Sequence, residues 1–348
     1  MMPEKALAPG TIIKGAKHSY KVVSLLRCDG QGYTYKTVVV AGEGSQQPEI
    51  FRVVREHMMA RCSERGADGV TVVTHDDIAP TVAGCLNAFI QASMERVKVT
   101  ADSPWLIGVV ETFAANNTFY YVVEFLNGMT LKEYVESQGG RLSVEQTMRV
   151  FVPIFDAVRT LHRHHVLHTD IHPGHIRFVN SGKEMTPVLF SLYSTLHFSD
   201  KGLQEWSLPA MNCEEGYAPP EQYGHIDHFY PQTDIYALAA TMVYALSGRS
   251  LPDSRKVTED IVRDTLPRTI PETLLQALVN ALDPDLTRRT SSLSNFKEDL
   301  QLFRHNIFNE VSRKKPDDED PEEVGQSSTG IKKRVGSVLR NLRRMIRH

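Results

Sequence analysis

Six histidines fall within residues 162–175: His162, His164, His165, His168, His172 and His175. Imidazole is a common ligand for transition metals and titrates near neutral pH, so this stretch could hold a metal ion or form a pH-sensitive loop. No cluster of Cys, Asp or Glu completes a coordination shell around them, and the pH-sensitive loop is the expected reading of the two. A second concentration of chemistry is the end of the chain. There IKKRVGSVLRNLRRMIRH places Ile331, Val335, Val338, Leu339, Leu342, Met345 and Ile346 along one helical face, with seven Lys or Arg around the rest. That pattern suits an anionic membrane surface, an acidic partner or a groove-binding helix, although Gly336 weakens the helix and a solvated basic end is the plain alternative.

The elements that must position these residues change character along the chain. From about 11 to 125, β-branched and aromatic runs such as YKVVSLL, GYTYKTVVV, EIFRVV and TFYYVVEFL predict a mostly-β region. One helix interrupts it at about 81–98, on a stripe of Val82, Cys85, Phe89, Ala92, Met94 and Val97. From about 130 the pattern is helical, in LKEYVESQ, VEQTMRVFVPIFDAVRTLHRH, DIYALAATMVYALSG, ETLLQALVNAL and SNFKEDLQLFRHNI. The irregular stretch 166–232 between two of these helices is too long for a plain connector, so chemistry is expected there.

With 41% hydrophobic and 23% charged residues the 348-residue chain reads as a soluble globular protein. Cys28, Cys62, Cys85 and Cys213 are scattered, which suggests neither a disulfide framework nor a cysteine zinc site and fits a reducing cytoplasm. No secretory leader is read at MMPEKALAPG, and the apolar run at 235–246 is too short to span a bilayer and reads as core. The net charge of −3 conceals an acidic patch at 316–323 ahead of the basic tail.

The motifs LHTDIHPGHI (167–176), PVLFSLYST (187–195) and EGYAPPEQYG (215–224), in that order, resemble the bacterial serine/threonine protein kinases, and the likeness spans about 11–305. It implies an α+β, two-lobed protein-kinase-like fold with a small mostly-β N-lobe and a larger α-helical C-lobe. The expected boundaries are an extension at 1–10, the N-lobe at 11–126, the C-lobe at 127–308, an acidic disordered linker at 309–330 and a basic amphipathic tail helix at 331–348. It further implies structural roles for four residues: Glu221 paired with Arg289, Asp234 opening a buried helix and holding the catalytic loop, and His168 within that loop. Glu124 and Leu126 fall in the hinge that would face an adenine ring, with Gly128 closing it.

The residues that would transfer phosphate depart from the family pattern. Such catalysis is largely positioning and electrostatics, with metal ions, a lysine, a glycine-rich loop and an aspartate as its parts. Asp170 stands at the catalytic base. The two metal-ligand positions hold His175 and Ser191, and magnesium favours charged oxygen ligands. His172 replaces the catalytic-loop lysine, and Arg55 replaces the strand lysine with a planar fork. The helix glutamate falls on Ala92, with Glu95 one turn away. Arg27, Asp29 and Gly32 occupy the glycine-loop positions, where an acidic group repels phosphate. Thr169 replaces the arginine that would pair with a phosphorylated activation loop, while Leu192 and Tyr193 are bulky enough to fill a pocket.

The expectation is therefore a pseudokinase that serves as a regulatory or scaffolding module. Its partner would be a protein, with peripheral membrane or acidic-surface contact through 331–348 and no nucleic acid. No cofactor is assigned; ATP is the nucleotide Arg55, Gly32, Glu124 and Leu126 would meet, without magnesium. The alternatives are a divergent serine/threonine kinase using Asp170, Arg55 and Glu184, and a metal-independent nucleotide sensor.

Overall fold

The computed structural model describes residues 5–40, 48–75, 79–180, 185–199, 204–206, 213–224 and 229–300. The acidic linker, the tail and Glu184 lie outside the described residues. The chain divides into two compact units at Asn127 and Gly128.

The first unit is built on a six-stranded sheet. Its strands are β1 (Ile12–Lys14), β2 (Ser19–Asp29), β3 (Gly32–Val39), β4 (Phe51–His57), β7 (Val109–Ala115) and β8 (Thr118–Glu124), in the order β1-β2-β3-β4-β8-β7. A small hairpin of β5 (Ser63–Arg65) and β6 (Val72–Thr74) and one helix, α1 (Ala79–Ala101), complete it. Tyr20, Tyr33, Tyr35, Val54, Phe113, Tyr120 and Val122 form the core of the unit. Helix α1 packs on β7 and β8, with Phe89 against His57 and Tyr121.

Contacts on both faces explain why β4 departs from simple alternation: Phe89 of α1 meets His57, and Asp29 and Thr34 meet Arg55. Val54, Arg55, Glu56 and His57 are all buried, because successive side chains point to opposite faces and both faces are covered. The helical stripe is also shifted from expectation. Val82, Phe89, Ala92, Arg96 and Val99 are buried, while Met94 and Val97 are exposed.

The second unit is mainly helical: α2 (Leu131–Ser137), α3 (Val144–Arg163), α4 (Pro231–Ser247), α5 (Glu259–Thr265), α6 (Glu272–Ala281) and α7 (Leu293–Asp299). Capping boxes start α2 at Thr130 with Glu133 and α3 at Ser143 with Gln146, which satisfies backbone N–H groups that a helix start leaves open. Helix α4 is the centre, buried continuously from Thr233 to Leu246, with Pro231 at its first turn where a missing N–H costs nothing. Among the described residues, no helix is long and apolar enough to cross a membrane.

The stretch expected to be irregular carries short strands. These are β9 (Val166–Leu167), β10 (Ile176–Asn180), β11 (Met185–Leu189), β12 (Leu196–Phe198) and β13 (Gln204–Trp206). The β10–β11 hairpin pairs Ile176 with Leu189, and β9 pairs with β12. Two-residue and three-residue strands lie below the length at which alternation gives a sequence signal.

Candidate functional site

In the first unit the candidate residues meet at the tight β2–β3 turn. Asp29 pairs with Gly32 across a two-residue loop, Gly30 and Gln31. The Asp29 carboxylate accepts from the N–H of Gln31 at 2.9 Å and of Gly32 at 3.2 Å. It also accepts from Arg55 Nη2 at 2.5 Å, and Arg55 Nη1 donates to Thr34 Oγ1 at 3.1 Å. Burial alone would raise the pKa of Asp29; the charge and hydrogen bond of Arg55, the Gln31 N–H and Arg27 outweigh it and hold the carboxyl below its ordinary value. The loop amides and the strand cation, which a phosphate would otherwise attract, therefore already face a carboxylate.

Gly32 has a packing reason as well as the cofactor-binding role expected of it. A Cβ there would lie 1.9 Å from the Glu56 carbonyl oxygen, so the close approach of β3 to β4 requires glycine. Glu95, the alternative partner for Arg55, accepts from Lys98 on its own helix at 3.3 Å. Glu124 ends β8, where its N–H donates to Gly108 O, and Leu126 is buried. Gly128 permits contact with β10, since a Cβ would lie 1.8 Å from Phe178 O.

His57 is a residue that sequence reasoning did not single out. Its ring is buried against Phe89, and among the described residues neither nitrogen makes a hydrogen bond of good geometry, although the Gln31 backbone lies close enough to favour the charged form weakly. Burial first, and then the charge of Arg55, push its pKa from 6.5 down to about 4. The unfolded chain takes up this proton first on acidification, so the stability contribution is full above about pH 6.5 and is lost as pH falls towards 4. His57→Phe is expected to remove about 2 kcal/mol of the stability difference between pH 7.5 and pH 5, read by urea unfolding at both. An unchanged difference would show that His57 is not held neutral by the fold. His168, also depressed by burial, contributes to the slope of both proteins and cancels in the comparison.

In the second unit the candidate loop follows β9. Asp234, fully buried at the start of α4, accepts from the backbone N–H of His168 at 2.9 Å and of Thr169 at 2.8 Å. His162 Nε2 lies 2.8 Å from the same carboxylate. Burial alone would raise the pKa of Asp234, but the hydrogen bond and charge of His162 and the His168 N–H together lower it. Thr169 has φ +61°, a genuine outlier for a β-branched residue that costs about 1–3 kcal/mol. It is held there by Asp234, by its hydroxyl on Ser194 O at 2.7 Å, and by Gln222 Nε2 on its carbonyl at 2.8 Å. The place of the expected arginine is thus taken by a structural pin.

His168 accepts the Asp170 N–H at Nδ1 and donates from Nε2 to Phe190 O, an arrangement of the neutral ring. Glu221 and Arg289 are brought together as a buried bidentate pair, at 2.7 and 3.1 Å. Leu192 is buried and Tyr193 half-buried.

Asp170, buried, comes together with the half-buried His172 and His175. His172 Nε2 lies 3.9 Å from Asp170 Oδ1, and His175 Nδ1 lies 3.4 Å from Asp170 Oδ2. The two imidazole centroids are 3.8 Å apart. The sequence expectation was that no Cys, Asp or Glu cluster completes a coordination shell around the histidines; the fold sets one carboxylate, that of Asp170, beside two of them. Its signal was the spacing of Asp170, His172 and His175 around Pro173 and Gly174, which the short turn Pro173–His175 folds onto one point. Ser191, 3% exposed with φ +68°, has a hydroxyl without a partner among the described residues. Two imidazoles and a neutral hydroxyl at the family's metal positions and beside them do not fit magnesium, which favours oxygen ligands and retains its waters.

The chain matches the family model described as "Protein kinase domain" over residues 91–316. It is 29% identical over 159 residues to "Serine/threonine-protein kinase F" of Synechocystis, which is 43% of this chain and 29% of that protein. It is 26% identical over 148 residues to "Serine/threonine-protein kinase PrkC" of Bacillus subtilis, covering 42% of this chain and 22% of that protein. The chain therefore spans less than a third of the length of these relatives. A solved structure titled "PpkA-294 apo form" superposes with a TM-score of 0.61 at 22% identity, over 85% of this chain and 100% of that one, a likeness of fold.

Proposed function

The chain belongs to the protein kinase domain family, and from that premise we propose that it is a pseudokinase, a regulatory or scaffolding module that acts by binding a protein partner. The observation that carries this reading is the Asp29 carboxylate. It holds the Gln31 and Gly32 amides and the Arg55 guanidinium, the groups that in the family would meet phosphate. A nucleotide phosphate would have to displace a charged, partly buried contact and would meet like charge on approach.

The second unit supports the same reading. With Ser191 and His175 at the metal positions and His172 at the lysine, several electrostatic contributions are missing together. Each such contact in a catalytic site carries about 3–4 kcal/mol. The residues suggest no route through magnesium. The basic tail and its membrane or acidic partner remain part of this proposal, to be read by vesicle pelleting of the full chain with and without 331–348 at low salt.

The test is transfer of labelled phosphate from ATP, together with the melting temperature of the purified chain titrated with ATP with and without magnesium. No magnesium-dependent transfer and no magnesium-dependent rise in melting temperature are expected. Metal-dependent transfer abolished by Asp170→Ala would overturn the reading in favour of a divergent serine/threonine kinase, the activity that the relatives' names carry. Retention of Asp170 is the observation that favours this second reading. A rise in melting temperature with ATP alone, without turnover, would instead identify a nucleotide sensor.

A further inference from the structure

We propose that Asp170, His172 and His175 form a binding site for one divalent transition-metal ion of the zinc class. Among the described residues, these three form a group able to present one ligand atom each with all three atoms within 4.8 Å of one another. Two imidazoles and one carboxylate form a donor set that suits zinc, cobalt or ferrous ions and leaves further positions open to water. Ligand atoms 2.0–2.2 Å from one ion lie roughly 3–3.5 Å apart, so atoms at the 4.8 Å limit close by about 1.3–1.8 Å on binding.

The surroundings orient the ligands. His175 Nδ1 donates to the Asp170 carbonyl at 2.8 Å and lies 3.4 Å from Asp170 Oδ2; the lone pair of the neutral ring is then on Nε2, and the ring turns to bring that atom to the ion. A backbone carbonyl holding the far nitrogen is the usual support of a metal-bound histidine. The Asp170 N–H is tied to His168, whose own N–H is tied to Asp234, so the carboxylate is carried on a fixed backbone. Gly174 admits the His172 ring, since a Cβ there would lie 2.8 Å from His172 Cε1.

One adjustment accompanies binding. His172 Nδ1 accepts the Gly174 N–H at 3.2 Å, which leaves the proton of the neutral ring on Nε2. Coordination through Nε2 moves that proton to Nδ1 and releases the long Gly174 contact. The site is independent of phosphotransfer: it stands whether the chain proves a pseudokinase or a kinase, because its readout is the ion itself.

The experiment is a titration of the full chain, stripped with EDTA, with cobalt(II), followed by visible d–d absorption. A saturable band for one ion per chain is expected, displaced by zinc and unaffected by excess magnesium. His172→Gln and His175→Gln should each weaken cobalt binding by at least about tenfold, whereas His18→Gln on the first unit should leave it unchanged. The melting temperature of each variant in EDTA reports whether it folds. A second measurement needs no variant: zinc should shield His172 and His175 of the native chain from diethyl pyrocarbonate, and magnesium should not. The absence of a saturable band, a band indifferent to both substitutions, or equal labelling with and without zinc would overturn the assignment.

Discussion

Replacing Arg65 by methionine is expected to destabilise the first unit by about 3–5 kcal/mol, the cost of leaving a buried charge without its partner. Arg65 donates through Nη1 to Glu56 Oε1 at 2.8 Å and through Nη2 to Glu56 Oε2 at 2.6 Å. Glu56 is wholly buried and also accepts from Tyr35 at 2.9 Å and Tyr120 at 2.8 Å. The tyrosine hydroxyls are themselves held protonated, their pKa values raised first by burial and then by the Glu56 charge.

Without Arg65 the wholly buried Glu56 carboxylate keeps its two tyrosine donors and loses its cation, the uncompensated charge that makes the loss large. Urea unfolding at pH 7 measures it. Adding Glu56→Gln to Arg65→Met should recover more than half of the loss at pH 7, because a neutral amide can still bond to the two hydroxyls. A double variant no more stable than Arg65→Met would show that the cost is lost packing of the arginine stem.

Asp234→Ala should be comparably severe in the second unit, at about 3–5 kcal/mol. It strands the buried N–H groups of His168 and Thr169, each costing about 1–3 kcal/mol unpaired, and removes the partner of His162. It also releases the left-handed Thr169, whose geometry is over-determined only while Asp234 holds it. Asp234→Asn should cost less, about 1–3 kcal/mol, because its single oxygen keeps one N–H and its amide faces the other with a donor. Chemical denaturation orders the two variants. Cobalt binding supplies the second readout, since Asp170 follows directly on the backbone that Asp234 fixes. Unchanged cobalt affinity in a folded Asp234→Asn would separate the loop anchor from the proposed site.

How far the sequence reaches is clearest in particular elements. Strand runs such as GYTYKTVVV and the apolar 235–246 helix announced themselves because burial on a regular element leaves a period or an unbroken run. The resemblance rested on the order of three motifs, and the family pattern it brought with it assigned roles to Asp170, Asp234, Glu221 and Arg289. The pairing of Arg289 with Glu221 spans 68 positions, a closeness that the folded chain displays directly.

Other features belong to the tertiary structure alone. No local pattern says that Asp29 turns inward to Arg55 rather than outward to solvent, since that choice depends on strands β2, β3 and β4 lying side by side. Nor does local pattern bury His57, whose shifted pKa comes from burial, with the Phe89 ring of α1 packed against it, and from the charge of Arg55. The histidine run shows the same division. Its composition was plain in the sequence and promised chemistry, but only the turn at Pro173–His175 selects His172 and His175 and sets them against the carboxylate of Asp170. Residue types fix which bonds are chemically available; the distances that decide which of them form are set by the packing of distant segments, and that information is not carried by any short stretch of chain.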